Sequence, residues 1–168
     1  TYTNYGPGCN ISAPGGDISL NQLSTGYRAQ ILSTVPDELA HFNSGYGYMQ
    51  GTSMACPHVS GVVALGISYA LQLGKTFDYD EFLGMIYTSV NDLEYFMETS
   101  VKLSYGLEFD LTPLMGGMGT GSIDAWKLLM QVEGTPSVIV KKGEDWKVSL
   151  TEHFGGSAAN LTYTKVEM

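Results

Sequence analysis

The chain has 168 residues, enough for one ordinary domain, and 43% of them are hydrophobic, which excludes an intrinsically disordered protein. Its 8 basic residues against 17 acidic ones give a net charge of −9, typical of a soluble surface. This balance excludes nucleic-acid binding as a function class, because contacts to phosphates need clustered Lys and Arg.

The first fifty residues are predicted to form short strands and turns. Pro14–Asp17 contains two glycines after a proline and predicts a turn. Ile31–Val35 is a β-prone run that Pro36 ends. The segment 44–49 mixes tyrosines with glycines, which favours a strand whose backbone closely approaches another chain, such as an extended substrate.

Residues 53–73 predict the principal helix. The stretch lacks Asp, Glu, Lys and Arg and is apolar nearly all round, so we expect it to be buried. Gly74 is expected to end it, with Lys75 complementing its C-terminal dipole. The same composition suits a membrane span, but Pro57 and His58 favour the central helix of a soluble α/β domain, and we predict no membrane span.

A second helix is predicted over residues 80–89, with Asp78 or Asp80 near its N-terminus. Residues 91–117 show no clean period of either secondary structure. We interpret them as an insertion that partly covers the edge of the domain.

The end of the chain predicts one more helix and then strands. Ser122 is predicted to cap a helix that extends to about residue 132, with Trp126 on or beside its buried face. After Gly134 the sequence contains three β-prone runs, at 137–140, 146–150 and 161–166. They predict the opening of a β-sandwich, cut off at Met168.

A serine at the junction between a predicted strand and a helix is the most informative feature. The run Gly51–Gly61 reads Gly-Thr-Ser-Met-Ala-Cys-Pro-His-Val-Ser-Gly. A hydroxyl at a helix start is normally an N-cap. It can also be a nucleophile, because the free N–H groups and the positive end of the helix dipole stabilise negative charge developing beside it.

This run resembles the nucleophile signature of the subtilisin-like serine peptidases, the subtilases. Segments that resemble the same family surround it in the family's order: Tyr5–Pro7, Ile11–Asp17, Ile31–Pro36, Tyr46–Gln50 and Gly119–Trp126. The resemblance implies that Ser53 is the nucleophile and that its backbone N–H is one oxyanion donor. Met49, Gln50, Gly51 and Thr52 are expected to border the substrate site.

The resemblance also implies the fold of the first part of the chain, and the β-prone runs imply that of the rest. Residues 1–134 are expected to be the C-terminal portion of an α/β, subtilisin-like parallel-sheet catalytic domain. Residues 135–168 are expected to begin an all-β sandwich module, which resembles the start of a cadherin-like or immunoglobulin-like module. Subtilases order their triad Asp, His, Ser, and neither an Asp-Thr/Ser-Gly nor a His-Gly-Thr-His motif occurs in this sequence. We therefore expect one triad member in this chain, with the catalytic Asp and His upstream of Thr1.

Two functions from different classes follow from the resemblance. The first is a serine endopeptidase that hydrolyses peptide bonds through an acyl-enzyme on Ser53 and is exported to the extracellular space, the periplasm or the cell surface. The second is a non-catalytic subtilase-like scaffold that binds or supports other modules. Expected partners are a protein or peptide substrate and the missing N-terminal half of the catalytic domain. The isolated fragment is expected to be inactive and to self-associate, because half of a sheet leaves unpaired edges.

The three histidines fit structural roles better than catalytic ones. His58 comes five residues after Ser53 on the predicted helix, which places it about 140° away around the axis. We expect it to be buried and hydrogen-bonded. His41 precedes a strand without an acidic residue clearly placed to orient it, and His153 lies in the C-terminal tail.

No metal or cofactor is predicted. Asp78–Glu81 superficially suggests calcium but lacks the alternating ligands and glycine of an EF-hand loop. Cys9 and Cys56 do not have a zinc-ligand spacing. Cys56 is expected to act as a small buried hydrophobe, and a disulfide with Cys9 in an oxidising compartment is the alternative.

Overall fold

The computed structural model describes residues 3–17, 29–40, 45–99, 101–104 and 107–135. Strands β1 (Ile31–Thr34) and β2 (Tyr46–Met49) form an antiparallel pair. Ile31 lies opposite Met49, and Thr34 lies opposite Tyr46. Both predicted strands are confirmed.

Helix α1 (Thr52–Gln72) begins directly after β2, within one residue of the predicted bounds. Its C-terminus follows the prediction. Gly74 has a φ of +67°, and the N–H groups of Gly74 and Lys75 donate to the carbonyls of Leu71 and Ala70. This pair of bonds is a Schellman motif, which satisfies carbonyls that the helix leaves without a donor.

The expectation that α1 is buried is wrong for the described part of the chain. Only Gly66 and Ala70 are buried, and Leu71 is 69% exposed. The physical reason is that the described residues pack mainly on one side of α1, against helix α4 (Ala125–Glu133). Within those residues, α1 is also the stretch long and apolar enough to cross a membrane, judged by length and composition alone.

Helix α2 (Tyr79–Thr88) confirms the second predicted helix. Asp78 is its N-cap, and the side chain accepts a hydrogen bond from the Glu81 N–H at 2.8 Å. The interaction of Lys75 with the dipole of α1 stays a prediction, and the structure adds a contact that the sequence does not predict. The Lys75 Nζ atom donates to the carbonyls of Val132 and Glu133, both at 2.8 Å, and so caps the end of α4.

The predicted start of the last helix is displaced by two residues. Asp124 is the N-cap of α4, whereas Ser122 lies in strand β6 (Ser122–Ile123). Partial burial acts to raise the pKa of Asp124, but hydrogen bonds from Lys127 and Asn91 outweigh it and lower the pKa below the ordinary carboxyl value. Trp126 is 70% exposed, so its predicted place near the buried face is wrong.

The described core lies where α1, α2 and α4 meet. Ala70, Ile86, Leu128 and Val132 are its buried apolar members. Gly66 allows the close approach of the helices, since a Cβ there would lie 2.8 Å from the Leu128 side chain.

A hydrogen-bond network joins Gln131 of α4 to the C-terminal end of α2 beside this core. The Gln131 Nε2 atom donates to the hydroxyl of Ser89 at 2.6 Å and to the carbonyl of Met85 at 3.0 Å. Its Oε1 accepts from the hydroxyl of Thr88 at 3.2 Å. Ser89 is fully buried, so this network satisfies groups that would be costly to leave unpaired.

Residues 91–117, which show no period in sequence, form short elements. They are helix α3 (Glu94–Thr99), strands β4 (Val101–Ser104) and β5 (Leu107–Asp110), and a 3-10 turn at Thr112–Leu114. Strands β4 and β5 pair antiparallel. Strand β3 (Val90–Asn91) precedes them and pairs antiparallel with β6.

The expected parallel sheet is not seen as such in the described residues. Their three sheets are two-stranded and antiparallel, and the parallel contact is a single bridge between Ser12 and Ser122. A parallel strand needs a neighbour reached by a long crossover, and the described segments supply mostly hairpin partners. The predicted sandwich strands fall in residues 136–168, outside the described residues.

Candidate active site

The turn from β2 into α1 depends on two glycines. Gly51 has a φ of +146°, a conformation that side chains rarely tolerate. Its N–H donates to the Gly15 carbonyl at 2.8 Å, and a Cβ at Gly15 would lie only 2.8 Å from the Gly51 carbonyl oxygen. The Pro14–Asp17 segment therefore holds the residues that precede the candidate nucleophile.

Ser53 is exposed in the first turn of α1. The N-cap is Gly51, which has no side chain to accept a hydrogen bond, and its carbonyl accepts from Met54 and Ala55. The N–H groups of Thr52 and Ser53 have no acceptor among the described residues. Two free donors at the positive end of a 21-residue helix are suited to stabilising an oxyanion.

A groove of about 360 Å³ lies between the start of α1 and the antiparallel pair of strands β1 and β2. On the side of α1 it is lined by Ser53, Pro57 and His58. On the side of the strands it is lined by β1, Gly47 and Met49. Sequence reasoning did not identify the Ile31–Val35 wall, although it predicted that strand. The register that turns this strand toward the helix is set by its pairing with β2.

The four residues expected to border the site divide between two cavities. Met49 lines the groove that contains Ser53. Gly51 and Thr52 line a neighbouring cavity of about 620 Å³. Gln50 is half-buried, and its side chain would lie 3.3 Å from a Cβ at Gly16.

His58 is exposed, so the expectation that it is buried is wrong, whereas the expected hydrogen bond is present. Its Nδ1 lies 2.7 Å from the carbonyl oxygen of Met54. A carbonyl only accepts, so Nδ1 carries the hydrogen and donates. The bond ties the ring to its own helix, and no described carboxylate bonds to His58 or Ser53. His41 and His153 lie outside the described residues.

Cys9 and Cys56 are both free and both line the larger cavity. The disulfide alternative is therefore not present. Cys56 is exposed in the described part of the chain, which contradicts its expected burial and has the same cause as the exposure of α1. Within that part, no three His, Cys, Asp or Glu side chains lie close enough to hold a metal ion.

Comparison with known proteins yields one family. The profile described as the subtilase family matches residues 1–104. An extracellular basic protease of Dichelobacter nodosus is 41% identical over 75 residues, which are 45% of this chain and 10% of the relative. An extracellular protease of Xanthomonas campestris pv. campestris is 43% identical over 70 residues, 42% of this chain and 10% of the relative. Pyrolysin of Pyrococcus furiosus is 33% identical over 152 residues, 89% of this chain and 10% of the relative. The chain thus spans about a tenth of the length of these curated relatives.

Proposed function

The chain belongs to the subtilase family, and we propose that it contributes the nucleophile of a serine endopeptidase that cleaves peptide bonds through an acyl-enzyme on Ser53. The observation that carries the proposal is the position of Ser53. Its side chain is exposed at the start of α1, beside N–H groups that no described residue uses. Such a hydroxyl can reach a carbonyl carbon while the adjacent donors receive the carbonyl oxygen.

The reaction divides into two steps. The Ser53 hydroxyl loses its proton to a base as its oxygen bonds to the carbonyl carbon, and negative charge moves to the carbonyl oxygen. The backbone N–H of Ser53 and the helix dipole stabilise that charge. Collapse of the intermediate releases the amine, which takes the proton from the base, and leaves the acyl group on Ser53. Water then repeats the sequence and frees the acid.

The base and its orienter come from outside this sequence. The sequence contains neither of the subtilase motifs for the catalytic Asp and His. His58 is a poor substitute, because its Nδ1 bonds to the Met54 carbonyl rather than to an orienting carboxylate. Without a base and an orienter only residual oxyanion and binding effects are left, so the 168-residue chain by itself is expected to be inactive.

The substrate is a polypeptide in an extended conformation. The groove beside Ser53 follows β1, and an extended peptide laid along it would present successive carbonyls to the helix start. Two of the relatives are named as extracellular proteases, which supports an extracellular, periplasmic or cell-surface location for this protein.

The remaining part of the catalytic domain covers the exposed side of α1. Leu65, Ile67 and Leu71 lie exposed on that helix, and a soluble protein rarely leaves such a surface in contact with water. Burial by the rest of the domain would make α1 a core helix of that domain rather than a membrane span. An isolated chain is expected to bury the same surface by self-association.

The second candidate is a non-catalytic subtilase-like scaffold. The absence of a base bonded to Ser53 among the described residues fits this candidate and the enzyme equally. The residues upstream of Thr1 discriminate the two: both the Asp-Thr/Ser-Gly and His-Gly-Thr-His motifs are expected for the enzyme, and loss of either for the scaffold.

Peptidase activity of the full-length protein tests the proposal. Ser53→Ala is expected to lower kcat on a denatured protein substrate by more than about 10³-fold without changing the melt, because the nucleophile is lost. Ser60→Ala is the matched control, since Ser60 is exposed on the same helix and, among the described residues, its hydroxyl bonds only to the Cys56 carbonyl. Equal activity of Ser53→Ala and Ser60→Ala would remove Ser53 from the mechanism.

A further inference from the structure

Residues 92–115 connect strand β3 (Val90–Asn91) to the residues that precede strand β6 (Ser122–Ile123). Strand β3 ends at Asn91 and pairs with β6, so that Asn91 lies opposite Ser122 and Val90 opposite Ile123. This segment, the acidic excursion, contains α3, β4, β5 and the 3-10 turn. Its N-terminal end thus follows β3 directly, whereas residues 116–121 separate its other end from β6.

Some carboxylates of the excursion fix its own turns. Asp92 accepts from the Glu94 N–H at 2.7 Å, and Glu94 accepts from the Gly116 N–H at 2.8 Å. Asp110 accepts from both the N–H and the hydroxyl of Thr112, at 2.9 and 2.8 Å. The bonds of Asp92 and Asp110 lie within short turns, and that of Glu94 joins α3 to the residue that follows the excursion.

Several large apolar side chains of the excursion are exposed. Tyr95 is 65% exposed and Phe96 is 59% exposed, and their rings meet edge to face with centroids 5.5 Å apart. In the hairpin formed by β4 and β5, every residue of β5 is exposed, including Leu107 and Phe109. Aromatic side chains that remain in water are typical anchors of a protein–protein contact. A two-stranded hairpin is also only marginally stable without a cover.

The same segment carries a strong negative charge. It contains five acidic residues and one basic residue, Lys102. Glu98 and Glu108 are exposed, and neither has a partner among the described residues. These two carboxylates are therefore left for a partner, whereas Asp92, Glu94 and Asp110 are engaged in the turns.

We infer that the acidic excursion is an exosite for the substrate polypeptide, and that it binds a cationic segment with interspersed apolar residues away from the scissile bond. The inference rests on the proposed function. Charge complementarity selects the occupant, because a segment rich in Lys and Arg pairs with Glu98 and Glu108 while its apolar side chains cover Phe96 and Phe109. A second copy of this chain, with a net charge of −9, would meet the excursion with the same sign.

The position of the excursion agrees with a role beside the active site. Leu93, at its start, lines the same cavity as Gly51 and Thr52 at the head of α1. Ser53 itself lines the neighbouring groove, so a polypeptide bound there would have to cross the head of α1, past Gly51 and Thr52, to reach the excursion. Such a second contact would raise affinity for long cationic substrates more than for short ones.

Direct binding tests the exosite without any catalytic step. The full-length Ser53→Ala protein is titrated, by fluorescence anisotropy, into a labelled 20-residue peptide of alternating Lys and Leu. A peptide with Glu in place of Lys is the probe control. Adding Glu98→Gln and Glu108→Gln is expected to weaken binding of the Lys peptide about 3- to 10-fold at low salt, and Phe96→Ala to weaken it by a similar factor. The Glu peptide is expected not to bind.

The matched protein control removes two charges elsewhere. Asp80→Asn with Glu81→Gln changes exposed carboxylates at the start of α2, outside the excursion, and is expected to leave binding of the Lys peptide unchanged. Equal weakening by both double variants would show only a general charge effect and would overturn the exosite. Unchanged binding in the excursion variants would overturn it as well, as when another part of the protein covers this surface.

Failure of the exosite and failure of the proposed function are distinguishable. Covalent labelling of Ser53 by a fluorophosphonate reports the nucleophile and needs no exosite. Peptide binding to the Ser53→Ala protein reports the exosite and needs no nucleophile. A positive result in the first and a negative result in the second would reject only the exosite.

Discussion

Gly15→Ala is expected to impair the nucleophile without touching it. The added Cβ would lie 2.8 Å from the Gly51 carbonyl oxygen, whereas ordinary van der Waals contact begins at 3.4 Å. The obstacle is backbone, which cannot rotate away as a flexible side chain can. The Gly15 and Gly51 backbones must therefore separate by about 0.6 Å, and this separation strains the hydrogen bond that joins them.

The displacement reaches Ser53 because Gly51 is the N-cap of its helix. A 1 Å misplacement can cost about 10²-fold in rate, so about half that distance is expected to cost about 10-fold, or about 1.4 kcal/mol of activation free energy. Overpacking is expected to lower the free energy of unfolding by about 1–3 kcal/mol in addition.

The assay is the second-order rate constant for labelling of the full-length protein by a fluorophosphonate, measured with the thermal melt. Gly8→Ala is the matched control: it lies in the same segment, and its Cβ would meet nothing within 4 Å. Equal labelling rates of Gly15→Ala and Gly8→Ala, with both variants folded, would contradict this effect of Gly15.

Three further predictions concern the framework that carries the site, each measured by hydrogen exchange of α2 and α4 in the full-length protein. Gly66→Ala is expected to destabilise by about 1–3 kcal/mol because its Cβ would collide with α4, whereas Gly84→Ala, with nothing within 4 Å, should stabilise by about 0.5–1 kcal/mol; equal effects would contradict this. Gln131→Leu removes the donor to the buried Ser89 hydroxyl and is expected to lower the free energy of unfolding by about 1–3 kcal/mol. Adding Ser89→Ala should recover part of that loss, and no recovery would refute the network. The lowered pKa of Asp124 stabilises the fold above the ordinary carboxyl pKa of about 4, and this stability is lost as the pH falls through the lower, folded-state pKa. Asp124→Asn is expected to weaken that acid dependence, and an unchanged pH profile would exclude Asp124 as its source.

Local signals in the sequence predicted the helices well. The start of α2 was predictable because an aspartate side chain bonds to an N–H three residues later, an interaction contained within one turn. The end of α1 was predictable because Gly74 alone supplies the left-handed residue that the C-terminus needs. Both features depend on neighbours in the sequence.

The wrong predictions concern residues whose position depends on contacts with distant segments of the chain. Ser122 has the side chain of a good N-cap, but pairing with Asn91 draws it into β6 and leaves the role to Asp124. Trp126 is apolar, yet the buried face of α4 is defined by Leu128 and Val132, which contact other helices. Neither the N-cap of α4 nor its buried face can be predicted from neighbouring residues in the sequence alone.

The candidate site also combines features set by neighbouring residues with features set by distant contacts. Ser53 and its glycine were identified from eleven consecutive residues, because their chemistry depends on one strand-to-helix turn. The contact between Gly15 and Gly51 joins segments 36 positions apart in the numbering, and only the folded chain reveals how close they lie. The exposure of α1 likewise depends on which elements pack against it.

The central claim is that the Ser53 oxygen attacks carbonyls, and the most direct measurement is the site of covalent modification by an active-site probe. The full-length protein is treated with a fluorophosphonate, digested, and sequenced by tandem mass spectrometry. The account predicts a phosphonyl adduct on Ser53 and no adduct in the Ser53→Ala variant. An adduct on a different residue, or labelling that survives in Ser53→Ala, would contradict it.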